Sequence, residues 1–178
     1  CHDFGKPETT SSDGLGHIRA LRHETAGVPL AEAFIKRLTS ETEVRRYVAN
    51  MVALHMRPNV IAQGHPKLKT TNRLFDDSLC PEDLLLLCKA DRMGQRKEAG
   101  YGPVEALLRS RLEAYRETMA KPGVTGKDLV ELGFRPGPAF SEALGFAHKL
   151  QLAGVEKEEA LSQTKGFLKK YPLLGEGG

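Results

Sequence analysis

The chain opens Cys1-His2-Asp3, setting an imidazole beside a carboxylate. Adjacent nitrogen and oxygen donors at one helix end suit a metal ion that accepts both. Gly5-Lys6 follows, a flexible turn and then an ammonium, which places a cation beside the metal where a phosphate would sit. Alone, a His-Asp pair is a chance neighbour as readily as a site. More residues of the same kinds fall at telling positions. His55 extends the face set by Val44, Tyr47, Val48, Met51 and Val52, and Asp91 comes next on the face of Leu84, Leu87 and Cys88. His23 precedes Gly27, Ala31 and Phe34 at steps of roughly four. Singly, His23 or His55 reads as a hydrogen-bonded core histidine, the commoner fate, and Asp91 as a salt bridge to Arg92 or a helix cap. A carboxylate aimed inward nevertheless needs a charge partner or a metal. Three helices and one helix end thus turn a ligand-type residue toward one interior point, and the expectation is a metal site.

The elements that must hold these residues read as helices. Residues 7 to 22, rich in Thr, Ser, Gly and Asp, show no sustained period and are expected to form an extended loop with a turn at Asp13-Gly14. A first helix carries Val28, Ala31, Phe34, Ile35 and Leu38, with Pro29 either kinking it or marking its first turn. A second begins at a cap built from Thr39, Ser40 and Glu43 and ends at Pro58. Residues 59 to 73 look like a basic loop. A third helix runs from near Ser78 or Pro81 to about Gln95, and a fourth from Pro103 to Met119. Lys121-Pro122-Gly123 punctuates the chain and suggests a boundary. Beyond it come a short helix at Thr125 to Leu132, a turn at Arg135 to Pro138, and helices at Phe140 to Leu152 and Glu156 to Lys170. With no alternating apolar run of strand length, the fold class is all-α. The expected organisation is a helical domain over 1–121 and a small helical tail over 122–178.

Composition narrows the function classes. At 178 residues, 40% hydrophobic and 28% charged, the chain can bury a substantial core and is neither disordered nor fibrous. Its longest apolar run, Leu84 to Cys88, is far short of the roughly 20 residues of a membrane helix, so no membrane partner is expected. Lys plus Arg exceed Asp plus Glu by 26 to 23, a mild basic bias that permits a phosphate-bearing partner. Cys1, Cys80 and Cys88 lack metal-finger spacing, which argues against a disulfide framework and for the cytoplasm. Phe134, Phe140, Phe146 and Phe167 read as tail core, and Cys80 and Cys88 as buried thiols. Gly14-Leu15-Gly16 is too short for a phosphate loop. His17 is expected at the surface, although it lies only six residues before His23.

Cys-His-Asp-Phe-Gly-Lys-Pro at 1 to 7, Arg-His-Glu-Thr-Ala-Gly at 22 to 27, His55-Met56-Arg57-Pro58 and Cys88-Lys89-Ala90-Asp91 resemble the HD superfamily of metal-dependent phosphohydrolases. They are most similar to the HD module of bacterial tRNA nucleotidyltransferases, the CCA-adding enzymes. The stretch from Thr125 through Gly126-Lys127-Asp128-Leu129 to Pro136-Gly137-Pro138 resembles the body and tail of those enzymes, so the likeness covers nearly the whole chain. It implies an HD-type helical bundle followed by a helical tail. It implies further that His2 and Asp3 are central ligands of a divalent ion, that Asp91 is the distal carboxylate ligand, and that His23 and His55 match the extra histidines that hold a second metal in some HD proteins; imidazole and carboxylate donors suit manganese, nickel, cobalt, magnesium or iron. Asp3 and Lys6 would be catalytic, and Lys6 would contact substrate phosphate with help from Arg92.

The family's first ligand, a histidine on a helix before the His-Asp pair, is absent from this sequence, as is the nucleotidyltransferase head. The chain, which begins with Cys rather than Met, is therefore expected to be a fragment and not to add CCA by itself. The implied activity is phosphatase or 2',3'-cyclic phosphodiesterase action on nucleotides or RNA ends. The competing expectation is a non-catalytic tRNA-binding module using Lys67, Lys69, Arg73, Lys127 and Arg135, with His65 and Lys121 alongside. Solvated loop charge explains those cations equally well.

Overall fold

The computed structural model describes residues 1–95 and 101–170. The architecture is all-α with one small two-stranded ribbon. The chain divides into two compact units, Cys1–Leu112 and Glu113–Gly178.

In the first unit the one-turn helix α1 (Lys6–Thr9) leads into β1 (Thr10–Ser12), which pairs antiparallel with β2 (Ile18–Ala20) in the register Thr10 to Ala20, Ser11 to Arg19 and Ser12 to Ile18. The segment expected to be a loop is therefore a short helical turn and a hairpin. Its strands are three residues each and carry no sustained apolar alternation, so no period announces them. The turn at Asp13-Gly14 does form. Asp13 Oδ1 accepts the backbone N–H groups of Leu15 and His17, and Gly14 and Gly16 take φ of 77° and 85°, where a side chain would be strained.

α2 (His23–Leu38) buries His23, Gly27, Ala31 and Ile35, a strict four-residue rhythm, and Pro29 lies inside the helix on its exposed side. α2 packs against α3 (Thr42–Leu54), whose Met51, Val52 and Leu54 are buried. The cap expected from Thr39, Ser40 and Glu43 does not form. Thr39 Oγ1 instead accepts the Glu41 N–H, the helix starts at Thr42, and Glu43 pairs with Arg46.

Pro58 ends nothing by itself. It sits in the first turn of α4 (Arg57–Gln63), where its missing N–H costs no helical bond. α5 (Leu68–Asp77) follows, so most of the expected basic loop is helical. Its buried face is Thr71, Asn72, Leu74 and Phe75, half of it polar, which hides the apolar signal. α6 (Pro81–Gly94) buries Leu84, Leu85 and Cys88, with Glu82 and Asp83 at its positive end.

Asn50 ties α3 to the segment between α5 and α6, donating from Nδ2 to Asp77 O at 2.9 Å and accepting the Leu79 N–H at 2.9 Å. One turn earlier the Tyr47 hydroxyl donates to Asp83 Oδ2 at 2.7 Å, and that bond pushes the phenol up to about 12.

α7 (Tyr101–Ala120) passes through the division at Leu112 and Glu113, which falls inside the helix rather than at Lys121-Pro122-Gly123. Proline and glycine mark where a helix stops, whereas the division follows which side chains pack together, and the two need not coincide.

In the second unit Thr125 caps α8 (Gly126–Glu131) in a reciprocal capping box with Asp128. α9 (Pro138–Leu152) and α10 (Lys157–Lys170) pack together. Leu129, Ala143 and Leu168 are buried there with Phe134, Phe140 and Phe167 packed around them, and Phe146 stacks on Phe167 with centroids 4.8 Å apart. The three cysteines are free: Cys88 is buried, Cys80 half-buried and Cys1 exposed. No described helix is long and apolar enough to cross a membrane.

Candidate metal centre

Gly5 decides how close the His2-Asp3 segment comes to α2. A Cβ at that position would overlap the His23 carbonyl and lie 2.6 Å from Gly27 N, so only glycine lets the two backbones touch. Gly27 reciprocates, since a Cβ there would meet both Gly5 N and Val52 Cγ1 at 3.2 Å. This contact brings Asp3 to the first turn of α2, where His23 begins the helix.

Asp3 then serves two clusters, one with each carboxylate oxygen. Oδ1 lies 3.3 Å from His23 Nε2 and 4.0 Å from His55 Nε2. Oδ2 lies 3.2 Å from His2 Nε2, which is in turn 3.6 Å from Asp91 Oδ1. Within each cluster, Asp3-His23-His55 and His2-Asp3-Asp91, the donor atoms lie within 4.8 Å of one another. The structure thus brings together all five residues named from the sequence as metal ligands.

The first cluster has a chemical peculiarity. His23 Nδ1 faces the Ala20 carbonyl at 2.8 Å, and His55 Nδ1 faces the Val52 carbonyl at 2.8 Å. A carbonyl only accepts, so each ring carries its proton on Nδ1, and in the neutral form Nε2 is a bare lone pair. The two Nε2 atoms nevertheless face each other at 3.2 Å beside the Asp3 carboxylate. Two lone pairs at that distance call for either a shared proton or a metal ion between them. Two imidazole nitrogens bound at about 2.0–2.1 Å to one ion lie roughly 3.0–3.4 Å apart, so the spacing fits a shared metal. The residue set also fits by type, since fixed imidazoles and a carboxylate suit borderline divalent ions. Burial pushes His55 down from its ordinary value, which keeps its ring neutral and ready to donate.

The second cluster is more open, with the His2 and Asp3 side chains about a third exposed and Asp91 at 12%. Lys6 Nζ sits 2.6 Å from Asp3 Oδ2. Burial pushes the Asp3 carboxyl up, but the Lys6 hydrogen bond and the His2, Lys6 and His23 charges outweigh it, leaving Asp3 below the ordinary carboxylate range. Asp91 accepts from Gln95 Nε2 at 2.9 Å.

Other named residues lie elsewhere. Arg92 has a buried Nε with no hydrogen-bond partner, and its charge acts on Cys88 and Tyr101. Lys67 caps α5, and Lys69 and Arg73 stand one turn apart on its exposed face. Lys127 and Arg135 are exposed in the second unit, with Lys127 3.8 Å from Glu131. His17 is exposed and bonded to Asp13 at 2.8 Å. Sequence reasoning missed the two carbonyls that fix the imidazoles, because backbone acceptors leave no residue-type signal. It also missed Gly5 and Gly27 as a contact pair, although Gly27 lies one turn beyond His23 on the same buried face.

No family model matches the chain, and no solved structure matches it significantly. The Multifunctional CCA protein of Alkalilimnicola ehrlichii is 31% identical over 163 residues, covering 88% of this chain. The chain is a distant relative of that protein. It spans 37% of the relative's length, so the likeness concerns one part of a longer molecule.

Proposed function

We propose that this chain carries a divalent-metal phosphohydrolase centre in the C-terminal part of a tRNA nucleotidyltransferase-like protein. What carries the reading is the pair of bare nitrogens, His23 Nε2 and His55 Nε2, facing each other at 3.2 Å beside Asp3. His23, His55 and Asp3 Oδ1 would hold one ion, and His2, Asp91 and Asp3 Oδ2 a second, with Asp3 shared. Manganese, nickel, cobalt, magnesium and iron all suit such donors to differing degrees. Divalent ions bound there would supply Lewis-acid polarisation of a phosphoryl oxygen and a more acidic water.

The chain's own residues do the rest. The Ala20 and Val52 carbonyls keep both imidazoles in the donating tautomer. Lys6, 43% exposed on the open side, presents its ammonium to the non-attacking phosphate oxygens. The resemblance to the HD superfamily supports nucleotide phosphomonoesters, 2',3'-cyclic phosphodiesters or RNA ends as substrates, and the three free thiols suit a cytoplasmic setting.

The test is turnover of 2',3'-cyclic AMP with added manganese or nickel, with and without EDTA. The expected result is chelator-sensitive hydrolysis, abolished in Asp3→Ala and reduced in Lys6→Ala. Turnover that ignores both EDTA and Asp3→Ala would reject the reading. A tRNA-binding role is favoured separately by Lys67, Lys69 and Arg73, exposed on α5 with no ion pair among the described residues. Salt-dependent binding of tRNA against unrelated RNA tests it.

A further inference from the structure

His23 is offered two acceptors for the one proton of its neutral ring. The Ala20 carbonyl lies 2.8 Å from Nδ1, and Asp3 Oδ1 lies 3.3 Å from Nε2. Glu24 Oε2, 3.8 Å from Nδ1, is too far to bond. The carbonyl holds the proton on Nδ1 only while it stays in place, since the hydrogen bond at one nitrogen decides the state of the other. A carboxylate is the stronger acceptor, so a carbonyl that withdrew would release the proton to Nε2, where the ring no longer donates to a metal. His55 escapes that risk, because the Val52 carbonyl that receives its Nδ1 proton is fixed inside α3. Ala20 has no helix behind it: it ends β2, and Leu21 and Arg22 separate it from α2.

Two features hold it instead. The first is the hairpin register. The Asp13 N–H donates to His17 O at 3.2 Å, which makes residues 13 and 17 a hydrogen-bonded pair; alternation along an antiparallel ladder then makes Thr10 and Ala20 a pair whose backbone groups turn outward. The Ala20 carbonyl is thereby free of the ladder and faces His23. A slip of one residue would turn it into the ladder. Asp13 guards against that slip: Oδ1 accepts the N–H groups of Leu15 and His17 at 3.0 and 3.1 Å, and Oδ2 lies 2.8 Å from His17 Nδ1. The second feature is Arg22, at φ 60° and ψ 24°, a left-handed conformation that residues with a Cβ seldom take. It turns the chain from β2 into α2, and its carbonyl accepts the N–H groups of Thr25 and Ala26. Such a conformation persists only where its surroundings impose it.

Resting on the metal-centre reading above, we propose that Asp13 and Arg22 are positioning residues of that centre. They act through the Ala20 carbonyl to keep the His23 proton on Nδ1, so that Nε2 is left as a donor beside His55 and Asp3. The ribbon buries none of its strand residues, and it serves the centre rather than the core.

The experiment reads the tautomer directly. The full chain, labelled with nitrogen-15 at histidine and freed of metal with EDTA, is observed by NMR in mildly alkaline buffer, above the ordinary histidine range. Manganese affinity is measured in parallel by calorimetry. Asp13→Ala removes the turn acceptor, whereas Asp13→Asn keeps a side-chain oxygen for the two N–H groups. Arg22→Val disfavours the left-handed conformation, whereas Arg22→Gly favours it. The unaltered chain, Asp13→Asn and Arg22→Gly should show His23 protonated on Nδ1. Asp13→Ala and Arg22→Val should move the His23 proton to Nε2 and weaken the tighter phase of manganese binding by about tenfold, with His55 still protonated on Nδ1 in every variant. Three results would overturn the proposal: His23 protonated on Nε2 in the unaltered chain, His23 keeping its Nδ1 proton in both disruptive variants, or His55 shifting as much as His23, which is what general loosening produces. If Arg22→Val does not fold, the two Asp13 variants decide. If the unaltered chain binds no manganese, the metal-centre reading fails, and the positioning roles stand or fall on whether His23 alone changes tautomer.

Discussion

The two clusters that share Asp3 are built from similar donors and held in different ways. His23 and His55 are 5% and 2% exposed, and each ring is fixed by a backbone carbonyl. His2 and Asp91 stand on the open side, where Lys6 already occupies Asp3 Oδ2. Burial and a second hydrogen bond orient ligands before a metal arrives, and so favour tight retention. Exposure leaves room for water and substrate and favours exchange. One carboxylate thus joins a pre-organised half to an adaptable one.

The most severe way to break that comparison is to remove what the halves share. Asp3→Ala should take metal binding by both clusters to background and lower turnover by about a thousandfold or more, some 4 kcal/mol of barrier. Calorimetric titration with manganese and the cyclic-phosphodiester assay check it.

Removing one ligand from each half comes next. His23→Ala is expected to weaken the tighter phase of metal binding by about 10–100-fold, as losses around a pre-oriented site do. Asp91→Ala should weaken only the looser phase, and by less, because water can enter that cluster past the part-exposed His2 and Asp3 side chains. Equal losses in nickel or manganese titrations would erase the distinction.

A gentler perturbation moves the shared carboxylate without deleting it. In Gly5→Ala the new methyl would collide with backbone of His23 and Gly27, costing about 1–3 kcal/mol and drawing Asp3 away from His23. Tm and metal affinity should fall together. Gly145→Ala, in α9 with nothing within 4 Å of the new Cβ, is the matched control and should be neutral or stabilising by about 0.5–1 kcal/mol.

The smallest effect lies in the second unit. The Lys157 ion pair and the Thr125 hydrogen bonds hold the Asp128 carboxyl down at about 2, against an ordinary 3.8. A depressed folded-state value means the contribution is present above the ordinary value and lost as pH falls from 3.8 through about 2. Circular dichroism of the full chain should show that acid loss shrink in Asp128→Asn, by no more than about 1 kcal/mol, and stay the same with or without metal.

The helices that carry the ligands were legible because their apolar residues keep a helical period: Ala31 and Ile35 in α2, Met51 and Val52 in α3, Leu84 and Cys88 in α6. Extending those faces by one helical step reaches His55 and Asp91, so the sequence period alone points to both. α5 was illegible because Thr71 and Asn72 take core positions that the eye assigns to solvent. The ribbon was illegible because three-residue strands leave no period. The order within the site, which oxygen of Asp3 faces which histidine, depends on backbone approach at Gly5 and Gly27, and residue spacing does not encode that.

Asn50 has a consequence for isotope labelling. Its amide acts on the segment between α5 and α6 as a strand neighbour would, accepting from Leu79 N–H and donating to Asp77 O. Leu79 has a side chain 52% exposed and lies outside any helix, so its amide proton would ordinarily trade for deuterium within moments. With Asn50 in place it should instead linger like a proton inside a helix, and Asn50→Ala should release it. A protected amide in an exposed linker would then serve as a spectroscopic gauge of whether the α3 and α6 scaffolds beneath His55 and Asp91 move as one.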